Sequence, residues 1–173
     1  IEVAFFTTWV DAAERCGFKL KSGTDSSGLA VFLVERIIES AVRLKIHREA
    51  EQSRVVEWLA LVADDRDLDA CLAALDAPDG GEAVMGLAEL LLPKALMAKA
   101  GTPGGDASSA LSVLRVVVLR RALQAGRGIV FSADFLTSFL VLQIYQALEL
   151  TLLLESKETG IADVPSAYGE VAA

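Results

Sequence analysis

Asp65, Asp67 and Asp69, in the run DDRDLD at residues 64–69, have the alternate spacing with which a calcium loop presents its first three carboxylates. The rest of such a loop is missing. Ala70 stands where the sharp turn needs Gly, and Asp76 stands where a bidentate Glu would close the shell. A magnesium-diphosphate DDxxD site fails as well, because Leu68 occupies its last acidic position. The chemistry left to the run is helix initiation: Asp64 and Asp65 suit a helix N-terminus, where carboxylates accept free amide hydrogens and meet the positive end of the dipole.

The other reactive side chains are sparse. His47 is the only histidine, and Arg43 at i−4 and Glu51 at i+4 make its surroundings those of a solvated helix face. No GxSxG element marks a serine nucleophile for it. Cys16 and Cys71 lie 55 residues apart without CxxC pairing, so they read as reduced thiols packed in helices, with one bridge as the alternative. The glycines match neither GxGxxG nor GxxxxGK[ST]. No catalytic residue, cofactor or metal site is expected.

One charged group stands out against the rest of the chain. Arg115, Arg120, Arg121 and Arg127 against Asp106 give residues 101–131 a net charge of +3, while residues 132–173 carry six acids against Lys157. The four arginines are candidate contacts for an acidic protein partner or a phosphate-bearing ligand. Helical spacing spreads Arg115, Arg120 and Arg121 over different faces, and arginines in a last turn also complement the helix dipole.

The elements that position these residues read as helices throughout. Phe5, Phe6, Trp9, Val10 and Ala13 recur at helical spacing and Gly17 stops the segment; Trp9, Trp58 and the phenylalanines are expected in the core. Residues 17–28, GFKLKSGTDSSG, read as a linker whose Ser26–Ser27 pair caps the next helix. That helix carries Val34, Ile37, Ile38, Ala41 and Leu44 on one stripe and Arg36, Glu39 and Arg43 on another face, and is expected to be half buried. The apolar pattern lapses over 47–54 and resumes at Val55, which predicts two helices meeting near a cap at Ser53. Leu68, Cys71, Leu72 and Leu75 mark a short helix ended by PDGG at 78–81; the next runs from about Glu82 to Ala100 and is kinked or split by Pro93.

GTPGGDAS at 101–108 reads as a mobile loop, and Leu111, Leu114, Val117 and Val118 carry a helix that GRG at 126–128 terminates. Ser132 caps a last long helix to roughly Glu155, apolar on most sides and therefore expected at the middle of the bundle with Phe139 at its centre. Asp134, Gln143, Gln146 and Glu149 interrupt this segment too often for a membrane span.

Together these give an all-α fold, a globular bundle of about six to eight helices around a central apolar helix. Residues 1–160 form one helical domain and 161–173 an extended or flexible tail. With 173 residues, 53% hydrophobic and 23% charged, the chain has enough apolar content for a packed core. A net charge of −8 and pI near 4.7 disfavour nucleic acid as a partner. The first segment lacks a basic leader, so no signal peptide is expected, and opening at Ile1 suits a processed product or a segment of a longer protein.

Three functional readings follow. The first is a non-catalytic protein–protein interaction or scaffold domain, with a protein partner or self-association. The alternatives are a helical pouch for an apolar or amphipathic ligand and an all-α enzyme of unrecognised type. A reducing compartment such as the cytoplasm suits the cysteine usage.

Overall fold

The computed structural model describes residues 2–21, 23, 25–48, 52–98, 100, 105–127 and 132–159. Among these, eight helices and no strand occur: α1 (Glu2–Arg15), α2 (Gly28–Arg48), α3 (Gln52–Leu59), α4 (Asp65–Leu75), α5 (Gly80–Leu91), α6 (Lys94–Met97), α7 (Ala107–Gly126) and α8 (Ala133–Thr159). The fold is an all-α globular bundle.

Local chemistry sets several helix boundaries. Gly17, at φ 91°, takes the left-handed conformation that ends α1. Ser27 Oγ accepts the Ala30 N–H at the start of α2, and Asp106 and Ser132 do the same for Ser109 and Phe135 at the starts of α7 and α8. Asp79 accepts the Gly81 N–H, so α5 begins at Gly80, inside the stretch expected to be a turn. Pro93 splits α5 from α6, because its ring cannot continue the preceding helix and its own nitrogen has no hydrogen to donate.

Some expected boundaries move. Asp64 does occupy the N-cap of α4, but its carboxylate makes no cap hydrogen bond; its carbonyl accepts from Asp67 and Leu68 instead. Ser53 lies within α3 rather than before it. α7 starts at Ala107, within the expected 101–108 loop, while residues 101–104 and the 161–173 tail lie outside the described residues. The 17–28 linker is partly core, since Leu20 is buried.

The largest correction concerns the middle of the bundle. α2 packs against α1, α3, α5, α7 and α8, and from Ala30 to Val42 every residue is buried except the half-buried Arg36 and Ser40. Over that stretch the helix is enclosed, where a half-buried helix was expected, while Arg43 and Lys45 beyond it are exposed. α8 packs against α2 and α7 from the outside, and Phe139, expected at the centre of the core, is 53% exposed. Trp58 is buried as expected, but Trp9 and Phe5 are exposed on α1. α8 is apolar all round yet has neighbours on one side only; α2 has neighbours all round and holds Glu39 there against Arg36, Arg43 and Arg115.

Candidate functional site

Two features of the bundle are unexplained by packing alone: an ionic cluster beneath α8 and an apolar face on top of it.

The cluster is built on α2. Glu35 and Glu39, one turn apart, both point into the interior, and Glu35 is 0% exposed. Glu39 receives Arg36 from its own helix, Arg43 at 2.6 Å and, from α7, Arg115 at 3.0 Å. Glu35 accepts a 2.9 Å hydrogen bond from the Tyr145 hydroxyl of α8 on Oε2; its Oε1 lies 3.7 Å from Arg115 Nε and has no hydrogen-bond partner. Burial, followed by the neighbouring Glu39 carboxylate, raises the Glu35 carboxyl from 4.5 to about 7 against the opposing pull of Arg36, the Tyr145 hydrogen bond and Arg115. Tyr145 is likewise pushed well above its ordinary value by burial and then by Glu35.

An acid near neutrality beside a tyrosine is a pairing that could move protons. Here it has no access: Glu35 is sealed and Tyr145 is 5% exposed, so no substrate atom reaches either. The cluster joins α2, α7 and α8 instead.

A second polar contact lies toward the N-terminal end of α8. Asp134 Oδ1 accepts the Gly28 N–H at 2.9 Å, and Oδ2 accepts from Arg121 of α7 at 2.6 Å; Arg121 Nε also donates to the Ser26 carbonyl. Ser138 packs so closely on Gly28 that a Cβ there would sit 2.2 Å from its hydroxyl oxygen.

Arg115 and Arg121 of the candidate basic set are thus engaged inside the fold. Arg120 is exposed on α7, and Arg127 is exposed at its C-cap. The row around His47 lies outside the described side chains from His47 onward. Cys16, at the surface, and Cys71, buried, are both free thiols.

The sequence pattern understated the cluster because Arg36, Glu39 and Arg43 read as the face of a half-buried helix opposite its apolar stripe. A signal for it exists: Glu35 has Val31, Phe32 and Ile38 at i−4, i−3 and i+3, which puts an acid on an apolar face.

The upper face of α8 is the second feature. Ser138, Val141 and Tyr145 point into the bundle, while Leu136, Phe139, Leu140, Leu148, Leu150, Leu153 and Leu154 are exposed. Beside them Leu123 of α7, with Leu142, Leu150 and Leu153, lines an open groove whose polar rim is Gln143, Gln146 and Glu149. Isolated exposed leucines are ordinary, but large apolar side chains gathered on the outer side of one helix, interrupted at Gln143 and Gln146, are characteristic of a docking surface. The segment Ala133–Glu155 is also long and apolar enough to cross a membrane.

Comparison of the chain with protein-family models, with curated proteins and with solved structures gives no match.

Proposed function

We propose that this chain is a non-catalytic helical interaction domain whose docking element is the outward face of α8, and that its partner is a protein presenting an apolar helix. The observation that carries the reading is the sidedness of α8: one stripe is spent on α2 and α7, and the opposite stripe holds large apolar side chains in water. Helix-in-groove docking uses such a surface, with anchors repeating at three and four residues. The sealed position of Glu35 and Tyr145 supports a binding role over a catalytic one.

Membrane insertion of α8 fits less well. Tyr145 lies near the middle of the 23-residue segment and touches Glu35, so a span would hold the ionic cluster of α2 and α7 at bilayer mid-depth. A helix lying in the interface would want Lys or Arg near the headgroups, and residues 133–155 contain neither. The free thiols favour a reducing compartment, and we take the cytoplasm as the setting.

The groove beside Leu123 also keeps a second reading open, an apolar or amphipathic small ligand in place of a helix. A fluorescent designed Leu/Lys amphipathic peptide, titrated against the chain, tests the first. Saturable binding that Leu140→Glu weakens at least about tenfold supports helix docking. Absence of peptide binding, together with a ligand-sized mass increment in native mass spectrometry, would transfer the function to the pouch reading.

A further inference from the structure

Resting on the docking reading above, we infer that the partner is a second copy of this chain, and that two α8 helices pair antiparallel across a two-fold axis beside residues 143–147. A two-fold interface must be complementary to itself when reversed. The outward face of α8 has that property. At about 100° per residue, Leu136, Leu140, Gln143, Ala147, Leu150 and Leu154 fall on the arc opposite Ser138, Val141 and Tyr145. Reversing the helix about position 145 sets Leu136 against Leu154, Leu140 against Leu150 and Gln143 against Ala147. Large apolar residues therefore meet at both ends, and at the centre a small side chain admits the opposing amide.

The area suits a reversible pair. The paired leucines, 50–64% exposed, with Phe139 and Leu153 on their flank at 53% and 45%, offer at most about 600 Å² per copy, if a whole large apolar residue presents roughly 200 Å². Two copies would bury at most on the order of 1,200 Å², at the border between weak and stable specific interfaces, which makes a reversible monomer–dimer equilibrium the expected state. The paired arc carries no charged residue, so the interface desolvates no ion. Each copy carries a net charge of −8, and mutual repulsion makes the pairing tighten with added salt. A partner held by opposite charge would loosen instead.

Sedimentation equilibrium of the full chain, at several concentrations and at low and high salt, reads the association directly. The expected result is a monomer–dimer equilibrium that strengthens with salt and weakens at least about tenfold in Leu140→Glu and, separately, in Leu150→Glu. Both residues are more than half exposed, and helix content by circular dichroism checks that each variant is folded. Orientation is read by mixing Gln143→Cys and Ala147→Cys chains, each on a Cys16→Ser background, with a short bismaleimide. Crosslinks between positions 143 and 147 support the antiparallel pair; crosslinks of 143 to 143 and 147 to 147 overturn it. A wild-type chain that stays monomeric while binding the Leu/Lys peptide overturns the dimer and leaves the docking reading standing. Monomer with no peptide binding overturns both. Cosedimentation with phosphatidylcholine vesicles, lost in Leu140→Glu, overturns both in favour of a lipid surface.

Discussion

The buried carboxyl of Glu35 gives folding a pH dependence opposite in sign to that of a salt-bridged acid. In the unfolded chain the group ionises around 4.5, and in the fold around 7. Between these values the unfolded chain has released the proton that the folded chain retains, so the folded state binds more protons and stability falls as pH rises. Below 4.5 both states are protonated and the group costs nothing. Above 7 both are ionised and the whole cost is present, roughly 3 kcal/mol for a difference of this size. Glu35→Gln keeps the shape and still accepts the Tyr145 hydroxyl proton, but it never ionises. We therefore expect wild type and variant to be nearly equal in stability at pH 4.5–5, with the variant drawing ahead by up to about 3 kcal/mol at pH 8. Urea denaturation of both chains at each pH, at one protein concentration, measures the gap, because titrations common to the two cancel. A gap that is constant from pH 5 to 8, or a variant less stable than wild type at pH 8, would refute the placement of Glu35 among the groups that face it: Arg36 and Glu39 of α2, Arg115 of α7 and Tyr145 of α8.

Three further substitutions test the packing. Phe139→Ala should change the stability of the dilute chain by less than about 1 kcal/mol, since the ring is already half in water; a loss of about 3–5 kcal/mol in thermal melts would return the ring to the interior. Gly28→Ala should cost roughly 1–3 kcal/mol, because the new methyl meets Ser138 Oγ at 2.2 Å and Ser138 Cβ at 3.1 Å, and adding Ser138→Ala should recover part of that in chemical denaturation. Arg115→Met should cost roughly 1–3 kcal/mol at neutral pH, less than for a fully buried pair because Arg115 is part-exposed and Glu39 keeps Arg36 and Arg43; an unchanged urea midpoint would mean that Arg115 does not serve the two acids.

What the sequence disclosed was chemistry that acts over a few residues. Ser132, Ser27 and Pro93 act within one turn of where they sit, so the helix ends they make were readable, and so was the stop at Gly126–Arg127. Which helix is enclosed is a property of neighbours. Mean apolarity pointed to α8, but burial is decided by how many helices can reach a given one, and α2 has five. Its charges argued against the centre only while they were counted alone. Arg115, 76 residues further along the chain, lies against Glu39, and Tyr145 lies 110 residues from Glu35. No periodicity over a short window contains such pairings. The face of α8 was obscured for a related reason: a helix apolar on every side carries no pattern that says which side is inside.

The same all-round apolarity governs how α8 is held. Rotating it about its axis would put outward leucines where Ser138, Val141 and Tyr145 now lie, with no loss of apolar burial, so the hydrophobic effect, being non-directional, does not select the observed face. Polar contacts choose it. Asp134, Ser138 and Tyr145 stand at i, i+4 and i+11, which puts them on one side of the helix, where they meet Gly28, Arg121 and Glu35. Turning the helix by one residue's angle would strand the Tyr145 hydroxyl and an oxygen of Glu35, at about 1–3 kcal/mol for each unsatisfied group, and would break the Arg121–Asp134 ion pair. The residues that pin α8 down thereby decide which leucines face outward. Removing the pins while sparing the apolar surface, in Asp134→Ala/Tyr145→Phe, should leave far-ultraviolet helix content near wild type but blur the near-ultraviolet aromatic signal. It should also spread the bismaleimide crosslinks of positions 143 and 147 over several pairings. If both signals stay as sharp as in the parent chain, packing alone sets the face of α8, and the polar contacts follow from it.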